Sequence, residues 1–184
     1  MKPTILTFAG SARRESLNKQ LARIAADHAT AQGAEAVFID LVDYELPLYD
    51  GDLEQTHGIP AHAVDLAELV DNADGLFIAS PEYNGAYTPL LKNTIDWVTR
   101  VDHRAFVRPI ALDSATPGRM GGRNGLDVLR ATLENMGVPV IAEQFALPHA
   151  TAVLKNGVLW DPAANRDLDS VVSSLIGSVV AMAA

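Results

Sequence analysis

The sequence predicts a doubly wound α/β sheet of five parallel strands with helices on both faces. Three observations carry this: five apolar runs without polar alternation, amphipathic stretches between them, and turn-forming residues gathered after the first, third and fourth runs. The runs are Thr4 to Phe8, Ala36 to Ile39, Gly75 to Ala79, Val107 to Leu112 and Pro139 to Phe145. Dense in Val, Ile, Leu, Phe and Ala, they suit strands covered on both faces, as a parallel sheet requires.

Between the runs, Leu17 to Ala31, Ala61 to Asn72, Pro89 to Arg100 and Arg123 to Met136 carry helical spacing. Gly33 and Gly137 stand where a left-handed residue stops a helix, and Pro60 and Pro89 suit opening turns, where a missing N–H costs nothing. Val153 to Trp160, centred on Lys155-Asn156-Gly157, reads as a hairpin, and Asp167 to Ala181 as a closing helix. With 184 residues, 48% hydrophobic content and no shift in composition, residues 1–184 are expected to form a single domain.

Charge and composition exclude several functions. The 14 Lys plus Arg against 23 Asp plus Glu leave a net charge of −9, the wrong sign for a partner such as nucleic acid or an anionic membrane. There is no cysteine, which removes disulfides, thiolate metal sites and a cysteine phosphatase. The five histidines show no H-x-H or H-x-x-x-H spacing, so no metal site is expected. Met1-Lys2-Pro3 leads into the first strand without a signal-peptide pattern, and no apolar run reaches membrane-spanning length, so a cytoplasmic, soluble protein is expected.

Doubly wound sheets bind ligands beyond the carboxyl ends of their strands. After the first strand, Gly10-Ser11-Ala12-Arg13-Arg14-Glu15-Ser16-Leu17-Asn18 places Ser11, Arg13, Ser16 and Asn18 at a helix start, where free amides and the helix dipole favour an anion. This is a candidate phosphate cradle, and it lacks the glycine signatures of nucleotide-triphosphate and dinucleotide loops. After the third strand, Ser80 to Tyr87 offers two tyrosine rings beside a Pro, Asn and Gly turn, a seat for a flat heterocycle. After the fourth, Ser114 to Gly122 supplies glycines that let backbone approach a ligand.

Together these segments resemble the NADPH-dependent FMN reductases of flavodoxin-like fold, which include chromate, quinone and azo-dye reductases. The resemblance rests on G-S-x-R-x-x-S-x-N at Gly10 to Asn18, L-P-L-Y-D at Leu46 to Asp50, A-D-G at Ala73 to Gly75, P-E-Y-N-G at Pro81 to Gly85 and L-K-N-T-I-D-W at Leu91 to Trp97. It runs from strand one into the helix after the third loop. It implies that Ser11, Arg13, Ser16, Leu17 and Asn18 hold the phosphate of FMN. It implies that Pro81, Glu82, Tyr83, Asn84 and Gly85 hold the ring, chiefly through backbone, and that Ser114, Gly118 and Gly121 flank it. Lys92, Asn93, Asp96 and Trp97 match as well, with support of the preceding loop or a subunit interface the stronger reading.

The resemblance further implies transfer of hydride from NAD(P)H to FMN and onward to a small electron acceptor: a quinone, azo compound, metal oxyanion or free flavin. No protein acid or base is obligatory in such chemistry, because the cofactor carries it. A homodimer or homotetramer using Pro89 to Arg100 is implied too. Tyr87-Thr88 departs from the family's small residues, and Arg119 and Arg123 are open between a nicotinamide-nucleotide phosphate and solvent. A flavodoxin-type one-electron carrier, which shares the fold but commonly lacks an arginine in its phosphate loop, is the competing reading. A non-redox protein that has lost FMN is the third.

Overall fold

The computed structural model describes residues 2–184. In chain order the elements are β1 (Thr4–Ala9), α1 (Leu17–Ala31), β2 (Glu35–Asp40), a 3-10 turn at Leu41–Asp43, α2 (Gly51–His57), α3 (Ala61–Asp71), β3 (Gly75–Ala79) and α4 (Pro89–Val101). There follow β4 (Ile110–Ala115), α5 (Arg123–Asn135), β5 (Val140–Leu147), α6 (Ala150–Val153), the hairpin strands β6 (Leu154–Lys155) and β7 (Val158–Leu159), and α7 (Pro162–Met182). The main sheet has the order β2-β1-β3-β4-β5 and is parallel throughout. This is the flavodoxin-like order, and its winding reverses between β1 and β3, opening a crevice at their carboxyl ends.

Alternation along each strand sends side chains to two separate cores. Ile5, Phe77 and Phe145 pack with Leu21 and Ala25 of α1 and Leu168, Val172 and Leu175 of α7. Leu6, Phe8, Ile78 and Leu112 pack with helices α3, α4 and α5 through residues such as Leu66, Ile95, Val98, Leu126 and Leu129. Among the described residues no helix is long and apolar enough to cross a membrane.

Three boundaries depart from the sequence reading by three residues or more. The fourth strand begins at Ile110, not Val107, because Arg108 turns away and donates to the carbonyls of Val70, Asp71 and Ala73 at the end of α3. It also runs on through Ala115, so Ser114 is a strand residue and the third loop starts at Thr116. The last helix begins at Pro162 rather than Asp167, since Asp161 accepts from the amides of Ala163 and Ala164 and Pro162 fits the first position. Helices α2 and α6 were not foreseen.

In β4, Asp113 lies in register between Ala79 of β3 and Phe145 of β5 and is fully buried. Neither carboxyl oxygen meets a donor in full hydrogen-bond geometry. Burial pushes its pKa well above the usual carboxylate range, an effect that the Phe145 backbone amide offsets only in part. In the unfolded chain the same group ionises near pH ~4. Its contribution to stability is therefore intact below that pH and declines as pH rises toward the folded value. Thermal melts from about pH 4 to 8 are expected to show Asp113→Asn flattening the pH dependence relative to the parent protein; an identical slope in both would sink the assignment.

Candidate functional site

The first wall of the crevice is the turn from β1 into α1. Gly10 donates its N–H to the Ala79 carbonyl at 3.0 Å, and its own carbonyl accepts from Thr88 Oγ1 at 2.6 Å. Thr88 also caps α4, accepting from the Leu91 amide at 3.2 Å, so one hydroxyl binds the turn to that helix. Ser16 caps α1 by accepting from the Lys19 amide. The amides of Leu17 and Asn18 have no acceptor among the described residues, the ordinary state of a helix start. Ser11 and Ser16 are buried, whereas the Arg13 guanidinium is exposed and makes no ion pair among the described residues.

Asn18 joins this wall to the opposite one. Its Nδ2 donates to the Ala115 carbonyl at 2.9 Å and its Oδ1 accepts from the Ala115 amide at 2.9 Å. The carboxamide is thus committed to the end of β4, and it reaches the ligand side by fixing geometry.

The loop after β3 is a tight hairpin. Tyr83 and Ala86 exchange backbone hydrogen bonds of 2.8 and 3.1 Å around Asn84 and Gly85. Both central residues have positive φ, 52° and 79°, which an Asn-Gly pair tolerates. Glu82 is half-buried, and its Oε2 accepts from the Gly125 amide at 2.9 Å. That amide lies in the first turn of α5, whose N-cap Gly122 supplies no side chain, so Glu82 caps the helix from another loop.

The loop after β4 is pinned by backbone bonds. The Thr116 amide donates to the Leu147 carbonyl, the Ala150 amide to the Thr116 carbonyl, and the His149 amide to the Gly118 carbonyl. Gly122 has φ +90°, and a Cβ there would fall 2.1 Å from Ser114 Oγ. Ser114 is fully buried beneath this backbone, with no hydrogen-bond partner for its hydroxyl.

The cleft between these walls has a volume of about 130 Å³. The structure brings Ser11, Arg13, Ser16, Leu17, Asn18, Pro81, Glu82 and Tyr83 together around it. Asn84 and Gly85 form the hairpin tip, Ser114 lies under the third loop, and Gly118 and Gly121 shape the turn beyond; none of these lines the cleft. Ala115, Thr116 and Pro117 do, and the sequence reading had not singled them out as lining residues. Arg119 and Arg123 are exposed. Two hydroxyls, a guanidinium and two free helix-start amides match what a phosphate monoester accepts, while Pro81, Tyr83 and Pro117 add flat apolar surface.

Residues Leu46 to Asp50 form a strap across α4. Asn93 Nδ2 and Trp97 Nε1 both donate to the Pro47 carbonyl, at 2.9 and 2.7 Å, and Asn93 Oδ1 accepts from the Tyr49 amide. The Tyr49 hydroxyl donates to Glu54, which also accepts from Arg100. The Arg100 hydrogen bond holds the Glu54 carboxyl below its usual range, and the bond to Glu54 raises the Tyr49 phenol. Asn93 and Trp97 therefore support the strap, and Lys92 pairs with Asp96 on the open side of the helix.

A doubly wound sheet with a phosphate-compatible cradle at its reversal point defines a nucleotide-binding α/β protein. The family profile described as NADPH-dependent FMN reductase matches residues 3–152, and the chain belongs to that family. It is 35% identical over 122 residues to a quinone reductase of Escherichia coli, a match covering 66% of this chain and 64% of that protein's length. It is 31% identical over 144 residues to an NADPH azoreductase of Bacillus sp., covering 78% and 75% of the two chains. Among solved structures, the flavoenzyme NAD(P)H:(acceptor) oxidoreductase FerB of Paracoccus denitrificans superposes with a TM-score of 0.82 at 26% identity, covering 97% of this chain and 98% of that one.

Removing the Asn18 carboxamide leaves two buried backbone groups of Ala115 without partners. Asn18→Ala is expected to lower stability by about 2 kcal/mol or more, read by urea denaturation. Loss within ~0.5 kcal/mol, the range of an ordinary surface change, contradicts the clasp. Glu82→Ala is expected to cost about 1 kcal/mol in the same assay and Glu82→Gln much less, since an amide oxygen still accepts from Gly125.

Proposed function

We propose that the protein is an NAD(P)H-dependent FMN reductase acting on a small electron acceptor, with quinones and azo compounds the first classes to test. The observation that carries this reading is the cradle: Ser11, Arg13, Ser16 and the free amides of Leu17 and Asn18 converge where the winding of the sheet reverses. When bound, FMN supplies the redox chemistry. The chain's part is to bind and orient. Arg13 and the serine hydroxyls take the phosphate, and the helix-start amides add charge complementarity without a metal. Asn18 keeps the two walls at fixed separation, and Glu82 holds the Pro81–Tyr83 segment against α5 so that its backbone faces the ring. The orphaned Ser114 hydroxyl beneath the third loop belongs to the same region, as do Gly118 and Gly121, which set that loop's shape.

The relatives named as quinone reductase and NADPH azoreductase support this reading over a flavodoxin-type one-electron carrier. The proposal treats residues 1–184 as one domain with one cofactor site. It takes the active form as a homodimer or homotetramer in the cytoplasm, with α4 and its strap contributing to the contact; Leu48 on that strap is 81% exposed, an apolar side chain without cover in the isolated chain.

Fluorescence titration tests the cofactor, since flavin emission changes on binding. The protein is expected to take up one FMN per chain and then to oxidise NAD(P)H when a benzoquinone is added. Arg13→Ala is expected to weaken FMN binding on the order of 10- to 100-fold, the loss of a charge-assisted contact, with a smaller effect on kcat at saturating FMN. A protein that takes up no FMN, or an Arg13→Ala variant with unchanged affinity, overturns the assignment.

A further inference from the structure

An asparagine followed by glycine is open to a reaction of the chain on itself, since a residue without a side chain leaves its amide unshielded. The chain holds three such pairs, Asn84-Gly85, Asn124-Gly125 and Asn156-Gly157, and all three asparagines are exposed. They differ in what holds the glycine amide. The Gly125 amide lies in the first turn of α5 and donates to Glu82 Oε2, and a Cβ on Gly125 would fall 3.1 Å from the Glu82 side chain. The Gly157 amide, in the β6–β7 turn, donates to Gln20 Oε1 of α1 at 2.9 Å. The Gly85 amide has no acceptor among the described residues, the Asn84 carboxamide has no hydrogen-bond partner among them either, and a Cβ on Gly85 would meet nothing within 4 Å. The two hairpin tips are otherwise matched: φ is 52° at both Asn84 and Asn156, and 79° and 74° at the glycines that follow. One tip is clamped by a side chain from another element, and the other is not.

We propose that Asn84 is a deamidation site, through which the hairpin beside the cleft changes covalently as the protein ages. The Gly85 nitrogen attacks Cγ of Asn84. That N–C bond forms, the Cγ–Nδ2 bond breaks, and the carboxamide nitrogen leaves as ammonia, taking the amide proton with it. Solvent water then opens the imide ring at one carbonyl or the other, with no change of oxidation state. One opening leaves aspartate; the other leaves isoaspartate, whose main chain runs through Cγ and is longer by a methylene. The attacking nitrogen must first reach Cγ, so the tip has to open, and among the described residues only the Tyr83–Ala86 bonds of 2.8 and 3.1 Å resist that opening. Both products add a negative charge next to Tyr83, at the edge of a cleft suited to an anion, and the longer main chain of isoaspartate does not fit a two-residue turn. The place of the reaction stands on this geometry alone; its effect on FMN rests on the reductase reading, in which a flavin ring seated against the segment holds the tip closed.

The test ages the protein in mildly alkaline buffer, where the attacking amide loses its proton more readily, with and without FMN. Peptide mass spectrometry maps deamidation, and enzymatic methylation reports isoaspartate. Without FMN, Asn84 is expected to react at least ~10-fold faster than Asn124 or Asn156, the effect of one amide hydrogen bond. Gln20→Ala, which frees the Gly157 amide, is expected to raise the rate at Asn156 on the order of 10-fold and to leave Asn84 unchanged. Saturating FMN is expected to slow the reaction at Asn84 by at least ~10-fold, and fully aged protein to bind FMN more weakly by a similar factor. Equal rates at the three pairs, an Asn84 slower than the other two, or a Gln20→Ala variant in which Asn156 stays slow overturns the inference. Reaction confined to Asn84 but indifferent to FMN keeps the modification site and removes the flavin from this hairpin. FMN uptake by a protein whose Asn84 stays intact sinks the modification and keeps the reductase reading.

Discussion

The Asn18 carboxamide is the joint on which the cleft depends. β1 and β4 are separated in the sheet by β3, so no ladder hydrogen bond connects the turn after β1 to the end of β4. One side chain closes that gap, donating to and accepting from the same residue, Ala115. Both partners are buried, which makes each bond costly to lose and gives the two walls a fixed spacing. A cradle for a phosphate needs donors held at such a spacing before the ligand arrives, because ordering them on arrival would consume binding energy.

Other contacts repeat the same device. Thr88 ties the turn after β1 to α4 while capping that helix, and Glu82 caps α5 while holding the loop after β3. Each uses a helix-start amide that would otherwise lack a partner as the anchor point for a loop. The crevice is therefore framed by helix N-termini on three sides, α1, α4 and α5, and the positive ends of those helices face one region. In an acidic protein this gives an anion a favourable place without a basic surface.

The sequence made the scaffold readable because its signals are local. α1 spans Leu17–Ala31 as its periodicity and Ser16 cap indicate, and β3 spans Gly75–Ala79 as its apolar run does. The cradle was readable because its residues are contiguous. Contacts that join distant residues were not: Asn18 meets a residue 97 positions away, and Arg108 shortens the start of β4 by reaching back 35 to 38 positions to α3. Ala115, Thr116 and Pro117 line the cleft because β4 ends at the residue that Asn18 clasps, and a contact from 97 positions away is not visible in their own identity. Helix α2 buries no residue, so it has no apolar stripe to read; Asp50 followed by Asp52 and Glu54 was the available signal. The P-E-Y-N-G segment matched the family as a unit, yet its residues divide in three dimensions: Pro81 to Tyr83 line the cleft, and Asn84 and Gly85 turn the chain.

The strap at Leu46 to Asp50 has a consequence for how such a protein diversifies. Asn93 and Trp97 grip it at a backbone carbonyl and Asn93 again at a backbone amide, so much of its path is set by atoms that every residue type carries apart from proline's missing N–H. Leu48, standing outward between these grips, is free to be exchanged without moving the chain. Descendants of this fold can therefore rewrite the outer face of the strap one residue at a time, trying new surfaces while the helix beneath keeps the same shape.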